Sequence, residues 1–135
     1  MNATLTTDDR RTLQTAAYGV VTLLAAGDPT VIASTKASTA AGNALRTATG
    51  LVGHVLNDKP RGLPLKGRTL ADIADIVFPA LTSSIEILNS KAPEEIDNFR
   101  RTIDTAVLAA EQSQGARPRA AGSELIRKIN AALDN

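Results

Sequence analysis

Cysteine does not occur anywhere in the 135 residues, which removes disulfide frameworks, thiol nucleophiles and thiolate metal sites together. Tryptophan is missing too, and Phe78, Phe99 and Tyr18 make up the whole aromatic inventory of 2%. The stacking platforms that single-strand nucleic-acid binders use are therefore not available. Histidine and methionine occur once each, too few for a metal site built on imidazole or thioether. Neither sign of charge dominates: 15 Lys and Arg stand against 14 Asp and Glu, a formal +1. No overall field steers such a chain toward nucleic acid or an acidic membrane. Long apolar runs are also lacking, since the uncharged stretch at 16–27 falls short of the ~20 residues that a bilayer-spanning helix needs. The expected protein makes no membrane span, holds no cofactor and does not act on nucleic acid.

What is present fits a folded globule. Hydrophobic residues make up 43% and charged residues 21%, an ordinary balance for a chain that folds unaided. A chain of this length buries roughly 65 to 70% of its unfolded surface, which predicts one core and a single all-helical domain over 1–135. With so few aromatics, that core must be built from Leu, Ile, Val and many Ala, drawing the helices close together.

Apolar residues return every third or fourth position nearly throughout, the signature of amphipathic helices. Thr6, Thr7, Asp8 and Asp9 offer a cap and negative charge for a first helix through Leu13, Ala17, Val20 and Leu24, ended by Gly27. The pair Arg10-Arg11 ahead of an apolar run also suggests a twin-arginine export signal. Asp8 and Asp9 oppose the positive charge such a signal needs, so the segment is read as the first helix of the fold and the chain as cytoplasmic. Asp28-Pro29 restarts the chain, and residues 30–41 and 44–57 read as two helices with a bend at Gly42-Asn43. Pro60, Gly62, Pro64 and Gly67 mark one long Pro/Gly loop over about 57–68. Thr69 caps a helix through Leu70, Ile73, Ile76 or Val77, Leu81, Ile85 and Leu88, with Pro79 predicting a kink or a split. Ala92-Pro93-Glu94-Glu95 opens another helix, with Ile96, Phe99, Ile103 and Ala110 on one face. A last helix carries Leu125, Ile126, Ile129 and Leu133. No stretch alternates with the period of a strand. The expectation is an all-α, compact bundle of about five to six helices.

Candidate sites each have a bland counterpart. His54 is the sole imidazole, and no second ligand or triad partner sits at a useful spacing, so it reads as a helix-surface or boundary residue. The loop cations Lys59, Arg61, Lys66 and Arg68 could hold an anion or an acidic partner segment, or be a solvated connection. Asp72 with Asp75, and Glu94, Glu95 and Asp97, resemble paired carboxylates, yet each group falls in or near a first helical turn, where the dipole accounts for it. The small-residue stretch 33–42 lets a second backbone approach closely, either within the fold or across a symmetric dimer.

Thr7-Asp8-Asp9-Arg10-Arg11-Thr12-Leu13, Ala16-Ala17-Tyr18-Gly19, Ala25-Ala26-Gly27-Asp28-Pro29, Lys91-Ala92-Pro93-Glu94-Glu95 and Ile129-Asn130-Ala131-Ala132-Leu133 together resemble small all-helical proteins of actinobacteria. That resemblance covers most of the chain and implies a fold, with no activity attached. More remotely, the helix order and the acid after the first helix are similar to the tellurite-resistance B-like helical domains, which implies metal binding and a stress response. Here, however, Asp28 is followed by Pro29 where that pattern has Asp-Gly. The functional expectation is a non-enzymatic interaction or scaffold protein, for which a homodimer is one form of the interaction, with a stress-linked metal- or small-ligand-binding domain as the alternative.

Overall fold

The computed structural model describes residues 5–26, 42–57, 69–113 and 120–134. Among the described residues all regular structure is helical, arranged as an all-α bundle. Helix α1 spans Thr7–Ala26. It starts in a reciprocal cap: Thr6 Oγ1 accepts from the Asp9 amide and Asp9 Oδ2 accepts from the Thr6 amide, both at 3.0 Å, which satisfies two otherwise orphaned donors. The Lys91 ammonium donates to the same Asp9 oxygen from the far end of another helix. That bond, followed by the Thr6 amide, holds the Asp9 carboxyl below its ordinary 3.8. The stability this gives is complete above the unfolded-state value and is lost as pH falls through the lowered folded value. Asp9→Asn is thus expected to cost up to about 1 kcal/mol at neutral pH. Urea titrations of both proteins should show the gap closing below pH ~4, and a gap that persists in acid would refute the assignment.

Residues 42–46 are helical, but the chain does not continue as one helix to 57 as the sequence suggests. Thr47 and Ala48 donate their amides three residues back, to Ala44 and Leu45, and Thr47 Oγ1 takes the Ala44 carbonyl as well. These tight bonds close the turn. Gly50 then adopts φ +71, a left-handed conformation that other residues enter at a cost, and α2 restarts over Gly50–Asn57. Eight residues are too few for a stable free helix, and neighbours hold α2 at both ends. Glu95 Oε1 accepts from the Val52 amide at 3.1 Å. From α1, Gln14 Nε2 donates to the Val55 carbonyl at 3.1 Å and Tyr18 Oη to the Leu56 carbonyl at 2.6 Å. Burial also pushes the Tyr18 phenol up.

Helix α3 spans Leu70–Lys91, with Thr69 Oγ1 accepting from the Asp72 amide as its cap. It runs unbroken through Pro79, so the split is excluded. Proline inside a helix costs about 3 kcal/mol. Against that, Ile73, Val77, Leu81, Ile85 and Leu88 bury on one continuous face, each contributing roughly 1.5–3 kcal/mol. Burial wins. Asp75, whose carbonyl loses its partner, and Pro79 both lie on the exposed side, where solvent can satisfy that oxygen. Pro79→Ala should therefore stabilise the protein by about 2 kcal/mol, after allowing for the entropy that proline removes from the unfolded chain. A lower melting temperature in the variant would contradict this account.

A 3-10 turn, Pro93–Glu95, leads into α4, Ile96–Ser113, and α5 follows at Ala120–Leu133. α1 packs along α3 more extensively than any other pair, α4 rests mainly on α1, and α5 rests mainly on α3. Their shared interior includes Leu13, Val20, Leu81, Phe99, Ile103 and Ile129, all nearly inaccessible. The loop cations Lys59, Arg61, Lys66 and Arg68 lie outside the described residues, as does the small-residue stretch up to residue 41.

Candidate functional site

Helices α4 and α5 are neighbours that barely touch each other directly, and the space between them is an open cleft of about 500 Å³. α4 lines it with Arg100, Asp104, Val107 and Leu108, and α5 with Ile126, Asn130, Leu133 and Asp134. The two sets share one spacing, i, i+4, i+7 and i+8, so each is a stripe along about two helical turns, some 12 Å. Val107 and Leu133 form a buried floor, while Leu108 stands at 56% exposure. It is the one large hydrophobic side chain so exposed among the described residues.

The same spacing that buries one face of α4 sets Leu108 outside. Phe99, Ile103, Ala106 and Ala110 are turned inward. Leu108, two positions after Ala106, lies roughly 200° around the helix. Its exposure is written into the register, not caused by a packing fault.

The polar groups of the cleft are two carboxylates, Asp104 and Asp134, one guanidinium, Arg100, and one amide, Asn130. Arg100 donates from Nε at 3.1 Å and from Nη2 at 2.9 Å to the Leu133 carbonyl, capping the negative end of α5 with a cation. Asp104 and Asp134 remain. The cleft walls desolvate the Asp104 carboxyl, and the charge of Asp134 repels it, so its pKa is raised. Asp134 itself sits just past the C-terminus of α5, where the helix dipole disfavours an anion. Two carboxylates thus face one guanidinium that is already engaged.

A smaller hollow of about 220 Å³ lies between residues 44–49 and α4, lined by Thr47, Thr49, Asn98, Arg101, Thr102 and Thr105 among others. It looks suited to an anion until its donors are traced. Thr47, Thr102 and Thr105 give their hydroxyl protons to the carbonyls of Ala44, Asn98 and Arg101, and Asn98 Nδ2 goes to the Thr49 carbonyl. Arg101 is left as the main donor.

The residues singled out from sequence do not gather here. His54 is exposed on α2, and Asp72 and Asp75 are exposed on the first turns of α3. Glu94 and Asp97 are exposed, whereas Glu95 is spent on capping α2. No group of three or more His, Cys, Asp or Glu placed to hold a metal ion occurs among the described residues. Nor, among the described residues, is any helix long and apolar enough to cross a membrane. Sequence reasoning passed over Asp104, Leu108, Asn130 and Asp134. The signal that would have found them is an apolar residue off the inward stripe of α4, together with the repeated spacing in the last two helices.

No family model matches the chain, and neither a curated protein nor a solved structure shows significant similarity to it.

Proposed function

We propose that this chain is a cytoplasmic, non-enzymatic interaction module that receives a partner in the cleft between α4 and α5. The observation that carries the reading is Leu108, a large apolar side chain held in solvent at the lip of a partly apolar groove. Exposing such a group forfeits about 25 cal/mol for each Å² that could be buried; a single exposed leucine is ordinary on a protein surface, and this one carries weight because it borders a cleft with an apolar floor and a polar rim, the anatomy of a docking surface. The cleft volume falls within the ~300–1,000 Å³ of ligand-receiving sites. Self-association through helix faces belongs to the same reading, and light scattering across a concentration series tests it directly: a mass that stays monomeric throughout removes the homodimer.

Methyl resonances give the test of the cleft itself. A panel of short amphipathic helical peptides is titrated into the labelled protein. Binding should shift Val107, Leu108, Ile126 and Leu133 while leaving Leu13 and Ile103 unmoved. If no peptide of any charge moves the cleft methyls, the reading is wrong.

A further inference from the structure

We infer that the occupant of the α4/α5 cleft is a basic amphipathic helix of a partner protein, its apolar stripe laid over Leu108 and Leu133 and its cations set between Asp104 and Asp134. This rests on the docking role proposed above and adds the chemistry of the partner.

Three features of the cleft specify the occupant. Its shape comes first: both walls are helical stripes with one spacing, and α4 and α5 rest on α1 and α3 more than on each other. A third rod laid against two such walls repeats the packing of the bundle, with side chains at i, i+3 and i+4 entering between those of α4 and α5. A strand would need a free sheet edge, and the cleft offers helices whose backbone groups are paired along their length. Its apolar content is second. Val107 and Leu133 form a floor and Leu108 a lip, so the side chains entering from above must be apolar.

Charge decides the third feature. Asp104 and Asp134 face each other across the groove, the C-terminal carbonyls of α5 add negative potential, and Arg100 is held in place by the Leu133 carbonyl. An incoming Lys or Arg relieves the repulsion between the carboxylates and gains charge-assisted hydrogen bonds in a partly desolvated setting. An acidic helix would add to the repulsion already there. Asn130 supplies an amide on the same wall for a further polar contact.

The experiment uses three peptides of about 14 residues, long enough to cover two helical turns with fraying ends. All carry leucine in a helical stripe, and the remaining positions are lysine, glutamine or glutamate. Affinity for the full chain is measured by calorimetry and the site is located by methyl shifts. The lysine peptide should bind at the cleft at least about tenfold more tightly than the glutamate peptide, a preference of about 1.4 kcal/mol, and the margin should shrink with salt. Asp104→Asn combined with Asp134→Asn should abolish the preference while the apolar contribution remains. Leu108→Ser should weaken all three peptides together. Equal binding of the three, or a lysine preference that survives the double asparagine variant, overturns the basic helix yet leaves the docking role standing. Absence of any cleft shift removes both. Circular dichroism of each variant confirms that the fold is intact, and all three substitutions are at exposed positions where stability changes little.

Discussion

Phe99→Ala should reduce the stability of this protein by about 3–5 kcal/mol. The side chain is fully buried on α4, in the interior that α4 shares with α1 and α3. The chain has only two phenylalanines, and Phe78 is only half-buried. Large apolar volume is therefore concentrated at one position, surrounded by aliphatic side chains and alanines that cannot grow to fill the void. Removing the ring loses its transfer free energy and leaves a cavity that helices pinned at several points close only in part. Domains are generally stable by about 5–15 kcal/mol, so this one change takes a large fraction of the whole. Urea denaturation should show the midpoint falling at constant slope, with Phe99→Leu losing much less. A loss under about 1 kcal/mol for alanine would mean that the core collapses freely around the site.

The second large effect reverses what helix propensity alone would give. Alanine in place of glycine inside a helix ordinarily stabilises by about 0.5–1 kcal/mol. At Gly19, however, a Cβ would strike Val77 Cγ2 well inside van der Waals contact, a clash that no real pair of carbons tolerates. Val77 is β-branched and fully buried on α3, so its rotamer has little freedom to turn aside. The helices would have to move apart along their most extensive contact. Gly19→Ala is expected to destabilise by about 1–3 kcal/mol. Pairing it with Val77→Ala tests the cause, because the alanine should be tolerated once the methyls it strikes are gone. The double variant should be more stable than the sum of the single effects predicts, by about 1 kcal/mol or more. Strict additivity would show that Gly19 is required for some other reason.

Much of the fold was legible because its determinants are local. Thr6 with Asp9, Thr69 with Asp72, and the Pro93 start each lie within one turn of the helix they open, and the apolar stripes of α1, α3 and α4 report the buried faces directly. The break at 47–49 was harder to read. Ala44 to Leu56 keeps a helical hydrophobic pattern across it, and the interruption is stabilised by the left-handed Gly50, the tight bonds back to Ala44 and Leu45, and two side chains 43 and 49 residues beyond their partners, Glu95 and Asn98. The continuity of α3 through Pro79 was likewise a matter of magnitude, settled by the burial that both halves share along α1. The candidate cleft was hidden for another reason. Each of its residues looks like ordinary surface on its own helix, and its character emerges only when the stripe of α4 is set beside that of α5. That juxtaposition is a property of the tertiary arrangement.

The way α2 is held has a bearing on synthesis. Its amino-terminal cap, Glu95, follows Val52 by 43 residues, so at ribosomal speeds of ~5–20 residues per second the nascent segment waits about 2 to 9 s for that carboxylate to be added. During that interval Gln14 and Tyr18 are already available, and the turn before Gly50 has its local bonds to Ala44 and Leu45, but the Val52 amide lacks its carboxylate partner. Order in α2 is thus expected to arrive from its carboxyl end first and to be completed only once the Pro93–Glu95 turn ahead of α4 has been made.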